Sequence, residues 1–173
     1  MTKNFVGAYW GARAEPREVA AKRLAAAIAE LSGIDRIFGE LVDCTRPHAP
    51  IFRNGKLIAD GVNFFRAMTK EISVLGSERF GVSARLCSPD KRSPLQVAAT
   101  IGSTADKLSN SVYLKFEDSA PPDISKLKLL MQVLIDQFDP ENAVAMESKP
   151  IPIEEARPIW ELESFHRYSK SFR

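Results

Sequence analysis

Hydrophobic and polar positions alternate along three successive runs of this 173-residue chain, at residues 82–87, 95–101 and 112–116. Alternation with a period of two is typical of strands that turn one face to a core and the other to water. These runs therefore predict a meander of three antiparallel strands. Residues 5–10 are apolar or small on both faces, which predicts a central strand, and residues 143–146 predict a strand that returns to the sheet.

Three other segments carry hydrophobic residues at helical spacing. Segment 16–31 has one apolar stripe, and we expect this helix to end at Gly33, because glycine often caps helices in the left-handed conformation. Segment 61–75 carries a second stripe. A third helix is expected to begin at a cap formed by Asp123 or Ser125. It is apolar nearly all round over residues 127–138, so we expect it to be buried on more than one side.

Residues 34–60 are the least regular part of the chain. Pro47 and Pro50 predict an extended backbone over residues 46–50. The dipeptide Asn54-Gly55, flanked by apolar pairs, predicts a small hairpin. An irregular segment of this kind is equally compatible with a binding surface and with a structural cover for the core.

The order of elements is strand, helix, helix, three strands, helix, strand. This order predicts the α+β class, with a mainly antiparallel sheet packed against about three helices. Residues 1–173 are expected to form a single domain, in which residues 150–173 are a less regular C-terminal segment.

Composition and charge are those of an ordinary globular protein. The net charge is +2, which is too balanced to require a polyanionic partner. The longest segment dominated by apolar residues, 127–135, is too short to span a bilayer. Cys44 and Cys87 lack the CxxC spacing of metal and redox sites, which favours two reduced thiols. We therefore expect a soluble, cytoplasmic protein that does not associate with membranes.

The sequence contains none of the usual catalytic signatures, such as a phosphate-binding glycine loop or the HExxH and GxSxG motifs. His48 and His166 are the only histidines, and neither has a second ligand at the spacing of a zinc site. His48 follows Cys44 by four residues, but a surface-loop histidine explains it better than a nucleophilic pair. We expect a protein that is not an enzyme, with no catalytic residues, metal or cofactor.

Two weaker patterns point towards nucleic acids and are kept as alternatives. Pro122-Asp123 followed by Glu147 and Lys149 is similar to the PD…ExK arrangement of metal-dependent nucleases, although a helix-capping role explains the aspartate. Aromatic and basic residues are interleaved over residues 165–173, which favours a small nucleic-acid-binding module or, more simply, a frayed amphipathic terminus. No direct nucleic-acid partner is expected.

The stretch between residues 136 and 163 is locally acidic, because it contains eight acidic residues and two basic ones. Acidic groups around an aromatic anchor suit the recognition of a basic protein. A solvated surface with Trp160 packed on the core explains the same residues. The candidate partner-binding residues are Asp139, Glu141, Glu154, Glu155, Trp160, Glu161 and Glu163.

The stretch Gly7-Ala8-Tyr9-Trp10-Gly11, followed by an alanine-rich helix with Ala20, Lys22, Arg23 and Leu24, resembles the immunity protein 52 family. The resemblance extends loosely to the order of the later elements. Members of this family are bacterial immunity proteins encoded beside polymorphic toxins, and such toxins often carry a restriction-endonuclease-like nuclease domain.

The resemblance implies a protein that neutralises a cognate toxin by protein–protein interaction, the toxin being a secreted nuclease effector of type VI secretion or a similar system. Immunity proteins against nucleases are often acidic, whereas this chain is slightly basic, so charge complementarity would rest on the local acidic stretch. The oligomeric state is not implied.

Overall fold

A computed structural model describes residues 3–58, 61, 63, 81–89, 95–105, 109–117, 122–147 and 165–169. Within these residues, nine strands form one sheet in the order β4-β3-β2-β5-β6-β7-β1-β8-β9, and every neighbouring pair is antiparallel. The strands are β1 (Lys3–Trp10), β2 (Leu41–Asp43), β3 (Arg46–Arg53), β4 (Lys56–Leu57), β5 (Val82–Cys87), β6 (Leu95–Ile101), β7 (Asn110–Glu117), β8 (Asn142–Glu147) and β9 (Phe165–Ser169).

The predicted meander is confirmed by the consecutive pairing of β5, β6 and β7. The predicted central strand is β1, which pairs with β7 along one edge and with β8, the predicted returning strand, along the other. Its register places Gly7 between Tyr113 and Val144. Strand β9 was not expected from the sequence, and it adds a regular edge strand within the C-terminal segment.

The described residues contain two α-helices, α1 (Arg17–Ile34) and α2 (Ile124–Phe138), so the expectation of about three helices is not met. The helix predicted over 61–75 lies almost entirely outside the described residues. The expectation that α1 ends at Gly33 is wrong, because the helix continues to Ile34 and the extended residue Asp35 caps it. Gly33 is tolerated inside the last turn, where it is exposed to solvent.

Helix α2 is buried on a broad side and exposed on a narrow one. It packs against α1 and against β1 and β8, which confirms burial on more than one side. Leu129 is nevertheless 58 % exposed, so the apolar residues do not all face the core. Asp123 begins the helix by accepting a hydrogen bond from the Lys126 N–H at 2.8 Å, a side-chain N-cap.

The irregular segment after α1 forms a short 3₁₀ helix (Arg36–Gly39) and then β2, β3 and β4. The predicted hairpin is confirmed, because Asn54 (φ 50°) and Gly55 (φ 70°) make a tight turn between β3 and β4. Phe38 and Phe52 from this segment are buried in the core. The segment therefore covers one end of the core.

One face of the sheet packs against the helices through side chains that alternate along each strand. Val6, Ala8 and Trp10 of β1 belong to this core, together with Val97 and Leu114 of the neighbouring strands. The intervening residues of β1, β5, β6 and β7 project from the opposite face, as the period of two requires. The two faces of β1 therefore have separate environments. Within the described part of the chain, no helix has the length and apolar character needed to cross a membrane.

Cys44 and Cys87 form a disulfide with a Cα–Cα distance of 5.3 Å, so the expectation of two reduced thiols is wrong. The bond joins the end of β2 to the end of β5, which share only two register pairs and a hydrogen bond from the Cys44 N–H to the Arg85 carbonyl. This short ladder is the connection between the β2–β4 segment and the rest of the sheet. The disulfide therefore cross-links two strands that are distant in sequence and whose backbone pairing is short.

Reducing this disulfide is expected to lower the free energy of unfolding by about 4 kcal/mol, because the bond closes a long loop in the unfolded chain. The sequence separation of the two cysteines is 43 residues. Urea denaturation with and without a phosphine reductant measures the loss. A Cys44→Ala/Cys87→Ala variant serves as the control. Its free energy of unfolding should equal that of the reduced protein and should not change when the reductant is added. Equal stability of oxidised and reduced protein would contradict a stabilising cross-link.

Candidate functional site

The Gly7–Gly11 motif forms the last half of β1 and the turn that follows it. On the helix side of the sheet, the Trp10 ring stacks on the Phe138 ring at the end of α2, with centroids 5.7 Å apart and planes inclined by 15°. The Arg13 guanidinium lies over the Trp10 ring at 5.0 Å, a cation–π contact. Trp10 is 3 % exposed and so anchors the motif in the core.

Arg13 also caps the C-terminal end of α2. Its guanidinium donates hydrogen bonds to the backbone carbonyls of Phe138 and Asp139, which have no partners within the helix. A cation at this end also complements the negative end of the helix dipole. One side chain thus joins the turn after β1 to the turn after α2.

A buried polar network fixes the turn after β1. The Asn110 amide, which is fully buried, donates to the Gly11 carbonyl at 2.7 Å and to the Ser103 carbonyl at 2.9 Å. Its oxygen accepts from the Ser103 N–H at 2.7 Å, and the Arg13 N–H donates to the same Ser103 carbonyl at 3.1 Å. Because both ends of the amide are used, the turn has a single defined conformation.

Two of the seven candidate partner-binding residues lie beside this turn. Asp139 is exposed and ends α2 in the left-handed conformation, with φ 44°. Glu141 is half-buried, and its N–H donates to the Tyr9 carbonyl at 3.0 Å. Its carboxylate lies next to Gly11, where an added Cβ would be 3.4 Å from the nearer oxygen. We call Asp139 and Glu141 the acidic corner.

The other five candidates, Glu154, Glu155, Trp160, Glu161 and Glu163, lie outside the described residues. The structure therefore places two of the seven at one corner of the sheet and leaves the remaining acidic surface as a prediction.

The sheet face opposite the helices carries a cluster that sequence analysis missed. Phe5 and Tyr9 converge above Gly7, so that a Cβ added at Gly7 would lie 2.7 Å from the tip of the Phe5 ring and 2.5 Å from the Tyr9 hydroxyl. Tyr113, the cross-strand partner of Gly7, approaches Phe5 with ring centroids 6.0 Å apart. All three rings are half-buried. The signal in the sequence is the alternation Phe-x-Gly-x-Tyr within the motif.

Basic side chains flank these rings. Across β5, β6, β7 and β8, two charged residues lie in register with Phe5, Gly7 or Tyr9. Lys115 of β7 lies directly opposite Phe5, and Arg85 of β5 lies two strands from Tyr113. Arg85 is exposed and Lys115 half-buried. We call Phe5, Gly7, Tyr9, Tyr113, Arg85 and Lys115 the aromatic face.

Burial raises the pKa of the Tyr9 hydroxyl, and the nearby Tyr113 adds to the effect because two phenolates would repel each other. Tyr9 therefore stays protonated at every physiological pH and keeps its O–H as a hydrogen-bond donor.

The residues of the nuclease alternative are only partly described. The carboxylate of Asp123 caps α2, as above. The Asn4 amide donates to the Pro122 carbonyl at 2.8 Å, and Asn4 pairs with Glu147, so Asp123 and Glu147 belong to the same end of the sheet. Lys149 lies outside the described residues. Across the described ranges, no three His, Cys, Asp or Glu side chains come together as a metal-binding group.

The Cys–His pair considered from the sequence has a different chemistry from a nucleophilic dyad. Cys44 is bonded to Cys87, so its sulfur is not a thiolate. His48 lies in β3, where the extended backbone predicted for 46–50 is confirmed.

Comparison with models of known protein families finds no match, and no curated protein matches the chain significantly.

Replacing Gly7 with alanine is expected to destabilise the protein by about 1–3 kcal/mol, because the new methyl group would force the Phe5 and Tyr9 rings apart. Chemical denaturation measures the change, and the near-ultraviolet circular dichroism of the tyrosines should change with it. Gly33→Ala is the matched control. Nothing lies within 4 Å of a Cβ at Gly33, so this helical substitution should stabilise by about 0.5–1 kcal/mol. A Gly7→Ala variant as stable as the parent would show that the rings do not pack on that glycine.

Proposed function

We propose that this chain is a bacterial immunity protein that neutralises a cognate polymorphic toxin by binding it, without chemistry of its own. The observation that carries the proposal is the part played by the Gly7–Gly11 motif, on which the resemblance to the immunity protein 52 family rests. Gly7 admits two aromatic rings to the surface, and Trp10 and Gly11 order the corner that presents Glu141. These contacts support a motif that shapes a surface for binding.

The acidic corner supports a protein partner. Asp139 is exposed at the end of a helix whose last turn is held by Arg13, so its position is defined by neighbouring contacts. An acidic group on a backbone that is ordered before binding lowers the entropic cost of association and steers a basic partner. We propose that the partner is a nuclease toxin, whose nucleic-acid-binding cleft would supply the basic surface. Inhibition would then be steric.

We also propose a cytoplasmic location, where the toxin would act. The disulfide places a condition on this proposal, since thiol-reducing systems keep most cytoplasmic cysteines reduced. A cytoplasmic immunity protein would have to retain its binding surface with Cys44 and Cys87 reduced.

Co-expression with the toxin encoded beside this chain's gene is expected to restore growth, and the two proteins should co-purify. Charge reversal of Glu161 and Glu163, and separately of Asp139 and Glu141, should weaken rescue by removing attraction to the toxin. Lys22→Glu on the exposed surface of α1 is the control and should rescue fully. Failure of the unmodified protein both to rescue growth and to co-purify with the toxin would end the proposal.

A further inference from the structure

The β2–β4 segment (residues 41–57) meets the rest of the sheet along one short boundary. It forms one end of the strand order, and among the described strands only β2 adjoins β5. These two strands share two register pairs, and the Cys44 N–H donates to the Arg85 carbonyl at 3.1 Å. Each neighbouring pair from β5 across the sheet to β9 shares at least five register pairs. The backbone of the segment therefore receives little support from the long ladder.

The other contacts of the segment are non-covalent and can be lost together. Ile51 and Phe52 are buried in the core. The Gly55 N–H donates to the Gly39 carbonyl at 2.9 Å. The Ile58 N–H donates to the Ile51 carbonyl at 3.2 Å. The pairing of β6, β7, β1, β8 and β9 uses no residue of this segment, so the segment can open as a unit while that ladder stays intact.

The Cys44–Cys87 disulfide joins this segment covalently to β5. While the bond is intact, an opened segment stays attached to β5 at Cys44, and the conformations that it gains on opening are restricted. When the bond is reduced, this restriction is removed, whereas the contacts of the closed form are kept. Reduction therefore shifts the segment from the closed form towards the open one.

The disulfide lies where a reductant can reach it. Cys44 and Cys87 are both half-buried. Cys87 and the exposed Arg85 alternate along β5 with buried residues of the core, so the bond lies on the sheet face opposite the helices. Arg85 lies opposite Cys44 and two residues before Cys87. A guanidinium in this position favours the thiolates that attack and leave during thiol–disulfide exchange.

We propose that the Cys44–Cys87 bond is a reversible redox switch that controls local opening of the β2–β4 segment. A cellular dithiol supplies a thiolate that attacks one sulfur, forms a mixed disulfide and displaces the other sulfur as a thiolate. The second thiol of the dithiol then displaces the protein. The dithiol leaves as a disulfide, and both cysteines become thiols, so two electrons and two protons pass to the protein. Exchange with an oxidised dithiol reverses the reaction.

This inference goes beyond the proposed function and does not depend on it. In a reducing compartment the segment opens more often, and in an oxidising one the bond holds it closed. The switch acts on residues 41–57, whereas the acidic corner is built on β1 and on the turn after α2. A test of the switch therefore needs no toxin, and its failure would leave the immunity proposal standing.

Native-state hydrogen exchange of the full chain, oxidised and reduced with dithiothreitol, tests the switch. The amides of Gly55 and Ile58 should exchange at least about tenfold faster after reduction, because opening of the segment breaks their hydrogen bonds. Their rates should depend only weakly on low concentrations of urea, since local opening exposes little surface. The β1 amides should keep the steep dependence of global unfolding. Re-oxidation with oxidised dithiothreitol should restore the slow rates.

The Cys44→Ala/Cys87→Ala variant is the matched control, and its Gly55 and Ile58 amides should exchange rapidly with or without reductant. The oxidised and reduced parent carry the test by themselves if this variant does not fold. Unchanged exchange at Gly55 and Ile58 after complete reduction would overturn the inference. Acceleration with the same rate and urea dependence as the β1 amides would also overturn it, because the bond would then stabilise only the whole fold. A bond that dithiothreitol cleaves only after global unfolding would be a structural cross-link and not a switch.

Discussion

The backbone ladder along both edges of β1 is the constraint on which the rest of the molecule depends. Register with β7 and β8 fixes which residues of β1 face the helices and which face away, and a slip by one residue would exchange them. Trp10 would then lose its place against Phe138, and the rings of Phe5 and Tyr9 would be driven into the core. A single strand thus supplies the anchor of the core on one side and the centre of the aromatic face on the other.

Contacts on the helix side of β1 fix the turn at the end of this strand. Arg13 and Asn110 tie the turn after β1 to the end of α2, to Ser103 after β6 and to the start of β7. Binding surfaces that are ordered before the partner arrives lose less entropy on association. In the proposed function, the motif of glycines and aromatics would serve recognition in this way. The disulfide has a parallel role at the other end of the sheet, where the β2–β5 ladder is short.

Local sequence patterns were sufficient for the elements that bury one face, and insufficient where distant segments meet. The alternation in β5, β6 and β7 and the apolar periodicity of α2 predicted those elements, because burial of one face imposes the period directly. The predicted end of α1 at Gly33 was wrong because a glycine near a helix end can lie inside the last turn as well as cap the helix. The Cys44–Cys87 bond and the pairing of β9 depend on which strands become neighbours, which spacing along the chain does not encode. The aromatic face was missed because its residues come from three strands, while the acidic stretch is contiguous in sequence.

Native-state hydrogen exchange tests the central position of β1 most directly. The amides of Val6 and Ala8, in the strand bonded on both edges, should exchange only through global unfolding and match the free energy obtained by denaturation. Amides of the edge strand β9 should exchange much faster through local opening. Exchange of the β1 amides as rapid as that of β9 would contradict the account, because β1 would then not be the element that holds the two faces in register.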